Sequence, residues 1–179
     1  MAPRTCHSSR AWLVLCLAVT LPTVGRAQSD ANPDRLWFSV GAGLGRATTR
    51  TPDFAWGFST GVGVTYQPSR LLVGLETNLL WHPSHGDLLT EAAMLVGLGT
   101  RDPRTNFSVA VGPSLVSADL SLFETHSKYF SSALGLATQI QVLGLPTPIL
   151  GGGLTGFLNL NPRQSFGGIR FTVAFGQLR

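Results

Sequence analysis

The sequence predicts an all-β chain: an eight-stranded antiparallel up-and-down transmembrane β-barrel preceded by a cleavable signal peptide. Three observations predict it. Apolar and aromatic residues recur at every second position, as in FAWGFSTGVGVTYQ from Phe54 to Gln67, the alternation of a strand with one greasy face. Compact turns alternate with longer polar loops, which suits an up-and-down barrel whose two rims face different environments. The large apolar face carries no charge, whereas the small, glycine-rich face does.

The N-terminal segment stands apart from this pattern. Arg4 and Arg10 precede a 13-residue apolar run, Trp12 to Val24, and Gly25-Arg26-Ala27 supplies small residues beyond it. This is the layout of a secretory signal peptide cut after Ala27, and the run falls short of the ~20 residues a spanning helix needs. The expected organisation is residues 1–27 signal peptide, 28–35 short linker and 36–179 barrel. Cutting leaves 152 of 179 residues and removes three of the 13 basic ones, so ten bases face nine acids. A net charge of +1 gives nucleic acid little to bind. Both cysteines, Cys6 and Cys16, leave with the signal, so no disulfide and no thiolate metal site is expected.

The strands follow in order. The first, Leu36–Gly45, turns Leu36, Phe38, Val40, Ala42 and Leu44 outward and its glycines inward. The second, Phe54–Gln67, presents Trp56, Phe58, Val62, Val64 and Tyr66 outward; its inward Gly61 is expected to tolerate serine if the lumen has room. A PSR turn leads to the third, Leu71–Trp81, with Leu71 to Trp81 at odd positions outward and Glu76 and Asn78 inward. The fourth, Leu88–Gly99, carries Met94, Val96 and Leu98 outward and Glu91 inward. In the fifth, Phe107–Val116, Pro113 lies mid-strand, where it cannot donate to the ladder, and predicts a bulge. The sixth, Tyr129–Val142, points Phe130, Leu134, Leu136, Ile140 and Val142 outward. The seventh, Ile149–Asn161, and the eighth, Gly168–Gly176, repeat the pattern, with Arg170 inward. No window shows a helical period.

The faces assign the environment. By this phase 15 of the 20 glycines beyond the signal peptide point inward. A soluble barrel would be polar outside and apolar within; lipid outside explains the reverse, since a charge there costs ~2–4 kcal/mol at mid-bilayer. Eight strands enclose a lumen about wide enough for its own side chains. Trp37, Leu72, Leu80, Leu95 and Phe157 also point inward, so either the lumen is partly apolar or the phase slips locally. Trp56, Phe58, Trp81 and Phe130 gather near the long-loop rim, and Phe38, Tyr66, Phe107 and Phe175 near the short-turn rim, as two interfacial girdles.

The signal peptide, the eight alternating strands, the short turns against long loops and the Gly-rich inward faces resemble small outer-membrane barrels of the OmpA and OmpX type. VGPSL and the closing GIRFTVAF are similar to strands of that family. The resemblance covers Leu36 to Arg179. It implies the outer membrane of a Gram-negative-type bacterium, contact with lipid and lipopolysaccharide, and insertion by the barrel-assembly machinery. Such chains commonly end on an aromatic residue, whereas this sequence ends Phe175-Gly176-Gln177-Leu178-Arg179.

Candidate chemistry is sparse. WHPSHGD places His82, Ser84, His85 and Asp87 just above the third strand. His82, His85 and Asp87 suit a metal, and His82 with Ser84 resembles the His–Ser pair of barrel enzymes that deacylate lipid A. Glu124, His126 and Ser127 form a second candidate set. A solvated polar loop is the simpler reading of both, so no catalytic residue, metal or cofactor is expected. GAGLG and LGGGL lack the helix a phosphate loop requires. The inward charges Glu76, Glu91 and Arg170 predict a lumen cluster, with Arg170 pairing across the barrel to Glu91 and Glu76 as second partner. The expected role is a structural or surface-interaction barrel, a monomer whose long loops meet an extracellular partner. The alternatives are a lipid A-modifying hydrolase or a narrow conduit for small hydrophobic molecules.

Overall fold

The computed structural model describes residues 34–48, 55–81, 88–119 and 132–179. In it, eight strands close into a barrel: β1 (Arg35–Ala47), β2 (Ala55–Gln67), β3 (Leu71–Trp81), β4 (Leu88–Gly99), β5 (Thr105–Asp119), β6 (Ala133–Gly144), β7 (Leu150–Leu160) and β8 (Phe166–Gln177). Every strand pairs antiparallel with its sequence neighbours. β1 closes the ring against β8, with Leu36 opposite Gln177 and Ala47 opposite Phe166. Closure removes the sheet edges that would leave backbone groups unpaired in lipid.

Several strands run further than the side-chain pattern predicts, because a ladder continues as long as its neighbour pairs. β1 starts at Arg35, one residue inside the expected linker, and ends at Ala47. β8 begins at Phe166. The intervening NPRQS connection is a tight hairpin rather than an open loop: Asn161 Oδ1 accepts the Arg163 and Gln164 amides at 3.0 and 2.7 Å. Ser165 O then accepts the Thr48 amide at 2.8 Å. β6 begins at Ala133; the expected start at Tyr129, like Phe54 in the second strand, lies outside the described residues.

Pro113 produces no bulge. Ala93 stands opposite Ser114 and Val96 opposite Val111, so the register is the same on both sides of the proline, and Pro113 remains opposite Leu136 on β6. The missing N–H removes pairing at Met94–Leu95 and Gly112–Pro113 without inserting a residue.

The inward and outward phases hold through all eight strands. Among the described residues, the large ones assigned outward, from Leu36 on β1 to Phe175 on β8, are exposed. Trp37, Leu72, Leu80, Leu95 and Phe157 are buried, so the lumen is partly apolar and the phase does not slip. Apolar clusters fill both ends. Ala47, Leu80, Leu89, Val116, Phe157 and Phe166 pack at the long-loop end, where the Phe157 and Phe166 rings meet edge-on at 6.4 Å. Trp37, Leu143, Leu145, Ala174 and Leu178 pack at the short-turn end. Leu72, Ala93, Leu95, Ala110 and Ala137 line the wall from β3 to β6. Gly168 makes room for the large ring, since a Cβ there would stand 2.9 Å from Phe157 Cζ. Gly176, with φ of 139°, adopts a backbone conformation open to glycine, close to the Leu36 carbonyl.

Candidate functional site: the polar lumen

Between the apolar clusters lies a polar band built on Arg170. Arg170 leaves β8 opposite Gly43 and Thr155 and is 2% exposed. To reach β3 its side chain must pass the inner walls of β1 and β2. Glycine clears that path: a Cβ at Gly61 would overlap the guanidinium and stand 2.8 Å from Asn78 Oδ1. Gly61 therefore has no spare room, contrary to the expectation of tolerance for serine.

The guanidinium ends in an ion pair, Nη2 donating to Glu76 Oε1, while Nη1 donates to Asn78 Oδ1. Glu91 is joined to this pair through an amide. Asn78 Nδ2 donates to Glu91 Oε2 at 2.7 Å. Asn159 Nδ2 donates to Glu91 Oε1 and to Ser114 Oγ, the latter at 2.6 Å. The direct partner of Arg170 is thus Glu76, and Glu91 is reached by relay. Arg170 Cζ also lies 4.5 Å from the centre of the Phe157 ring, a cation–π contact that joins the band to the apolar cluster above. Below it, Gln141 Nε2 donates to Thr155 Oγ1 at 3.1 Å, and the Thr155 and Thr172 hydroxyls lie 2.8 Å apart.

Charges buried this way need their partners: removing one member of a buried pair costs ~3–5 kcal/mol. The band also leaves little space. A cavity of about 10 Å³, lined by Ser39, Gly61, Glu76, Gln139 and Arg170 among others, is large enough for roughly one water. Among the described residues the lumen holds no histidine, cysteine or lysine. The arrangement locks the walls together and offers no nucleophile with an adjacent base.

The remaining predicted residues divide simply. Phe38, Trp56, Tyr66, Trp81, Phe107 and Phe175 all face outward near the strand ends. Phe58 stacks on Trp81 at 6.1 Å, and Tyr66 Oη donates to Asp34 Oδ2 at 2.7 Å. Phe130, His82, Ser84, His85, Asp87, Glu124, His126 and Ser127 lie outside the described residues. Sequence reasoning placed Asn78 on the inward face but connected neither it nor Asn159, inward on β7, to Glu91. Their signal was available: amides at inward positions, each within reach of a carboxylate of the same face.

No family model matches the chain, and no curated protein matches it by sequence. The structural likenesses are clear. The chain is similar to Neisserial surface protein A (NspA), with TM-score 0.63 and 18% identity over 78% of this chain and 96% of that one. It is similar to Ail, the attachment invasion locus protein of Yersinia pestis, with TM-score 0.60 and 14% identity over 82% and 99%. The N-terminal β-barrel domain of Pseudomonas aeruginosa OprF gives TM-score 0.51 and 12% identity over 80% and 98%. The fold is that of small eight-stranded outer-membrane barrels.

Proposed function

We propose that the chain is an outer-membrane barrel with a structural or surface-interaction role, exported by the signal peptide and matured to begin at Gln28. The observation that carries this reading is the contrast between its two faces. The exposed belt is apolar from Leu36 and Phe38 on β1 round to Phe171 and Phe175 on β8, as lipid requires, while the charges lie inside and are interlinked. Among the described strand side chains, Arg46 is the one charge on the outer face, its guanidinium 5.7 Å from the Trp56 ring at the long-loop rim. That rim is where an anionic lipopolysaccharide headgroup would sit. A surface role also accords with the similar structures, two of which are named as a surface protein and an attachment invasion locus protein.

A lumen filled by side chains leaves the barrel's long loops as its working surface. A conduit for hydrophobic molecules fits less well, because apolar clusters close both ends of the polar band. Orientation is the test. An epitope inserted between residues 120 and 131 should be labelled by antibody on intact cells, and one in the turn at Pro103 only after the outer membrane is opened. The opposite labelling, or recovery of the chain from the cytosol, would overturn the proposal.

A further inference from the structure

The short-turn mouth is shut by side chains of two kinds. Trp37, Leu143 and Ala174 belong to β1, β6 and β8 and are held by the ladder, whereas Leu145 and Leu178 lie just past the ends of β6 and β8. The last pairs of β8 are Gln177 with Leu36 on β1 and Phe175 with Leu150 on β7. Beyond them come Leu178 and Arg179, and yet Leu178 is 1% exposed. Two hydrogen bonds hold these residues: the Leu178 amide donates to Pro148 O at 2.9 Å, and Arg179 Nη2 donates to Leu145 O. Both acceptors belong to the connection between β6 and β7, not to a strand.

Gly151 on β7 provides the seat. A Cβ there would stand 3.0 Å from Leu145 Cδ2 and 3.3 Å from Leu178 Cδ1, so the two leucines share a stretch of wall that carries no side chain. Trp37 packs in the same cluster, is 1% exposed, and its indole Nε1 has no hydrogen-bond partner. Closure therefore has two opposed terms. Burying Leu178 takes apolar surface out of water, whereas the enclosed indole N–H forfeits the hydrogen bond that water would give it. The two are of the same order, so the closed mouth is favoured by a modest margin. Lifting Leu178 breaks no ladder hydrogen bond, which makes a local opening cheaper than any that unzips a strand.

We propose that Leu178 and Arg179 form a lid over the short-turn mouth, which opens while the barrel stays closed and uncovers an apolar pocket around Trp37. The pocket is a dead end. The interlinked band on Arg170 stands between it and the long-loop end, and opening the lid leaves that band untouched.

Fluorescence of Trp37 in the folded protein reads the cover, with Trp12, Trp56 and Trp81 changed to phenylalanine so that Trp37 is the only indole left. In detergent micelles acrylamide should quench it weakly in this parent. Quenching should rise severalfold in Leu178→Asp, which sets a charge in the apolar seat, while the far-ultraviolet circular dichroism of the barrel is unchanged. Leu178→Met should keep the shielding. If Leu178→Asp does not fold, Leu178→Ala takes its place and must show the same rise. Hydrogen exchange on the parent reads the opening itself: the Leu178 amide should exchange at least about tenfold faster than the ladder amides of β8. Trp37 equally shielded in the folded variant, or a Leu178 amide as slow as the ladder, would overturn the lid.

Discussion

A guanidinium that crosses a lumen needs an empty wall beneath it, and at Gly61 the wall is empty because no Cβ is present. Gly61→Ala should therefore destabilise by ~1–3 kcal/mol, the usual cost of overpacking, and should lose most of that cost in an Arg170→Leu background. Denaturant unfolding in detergent or lipid micelles checks it; additive effects would separate the two residues. The ion pair makes a second prediction. Arg170→Leu alone should cost ~3–5 kcal/mol, because it leaves Glu76 buried without its cation, and Arg170→Leu with Glu76→Leu should cost less. The same cycle with Glu91 should show weaker coupling, since Asn78 stands between. Period-two alternation was enough to put Arg170, Glu76 and Glu91 on one face. It could not select the direct partner, because strand tilt accumulates around a barrel. Residues equally far from a rim are then not at equal height.

At the scale of the element, alternation set the phase of all eight strands, and the lipid-facing and lumen-facing residues follow from it. The strand ends were less legible. Backbone pairing continues past the last apolar residue wherever a neighbour accepts it, as β1 shows at Arg46 and Ala47. Pro113 was misleading for a related reason: a proline removes one donor, and the unbroken pairing to β6 holds the register without a bulge. The β4–β5 turn depends on Asp102, whose carboxylate caps the start of β5. The Arg104 amide, helped by the Thr105 amide and hydroxyl, holds this carboxyl below the usual aspartate range. A lowered folded-state value stabilises above the ordinary range, about 4, and the effect fades as pH falls through the folded-state value. The unfolding midpoint of Asp102→Ala should thus lie below that of the parent at neutral pH and converge with it in acid. A gap that widens in acid would contradict the capping role.

For the whole molecule, fold and environment were legible because both are written in side-chain alternation and charge placement. The seat of Arg35 was not, since its guanidinium meets the Arg101 and Asp102 carbonyls only when the short turns close beneath the barrel. The outer face supplies one prediction at this scale: Val62, exposed between Val40 and Thr77, should cost ~2–4 kcal/mol when changed to arginine in lipid. In a soluble barrel the same change would be nearly neutral. An apolar exterior surrounds a lumen closed by apolar ends and an interlinked polar band. Conductance of the purified protein across a planar lipid bilayer tests this closure. Insertion without steady open-channel current is expected; large, reproducible conductance steps from the folded barrel would mean that the lumen is open.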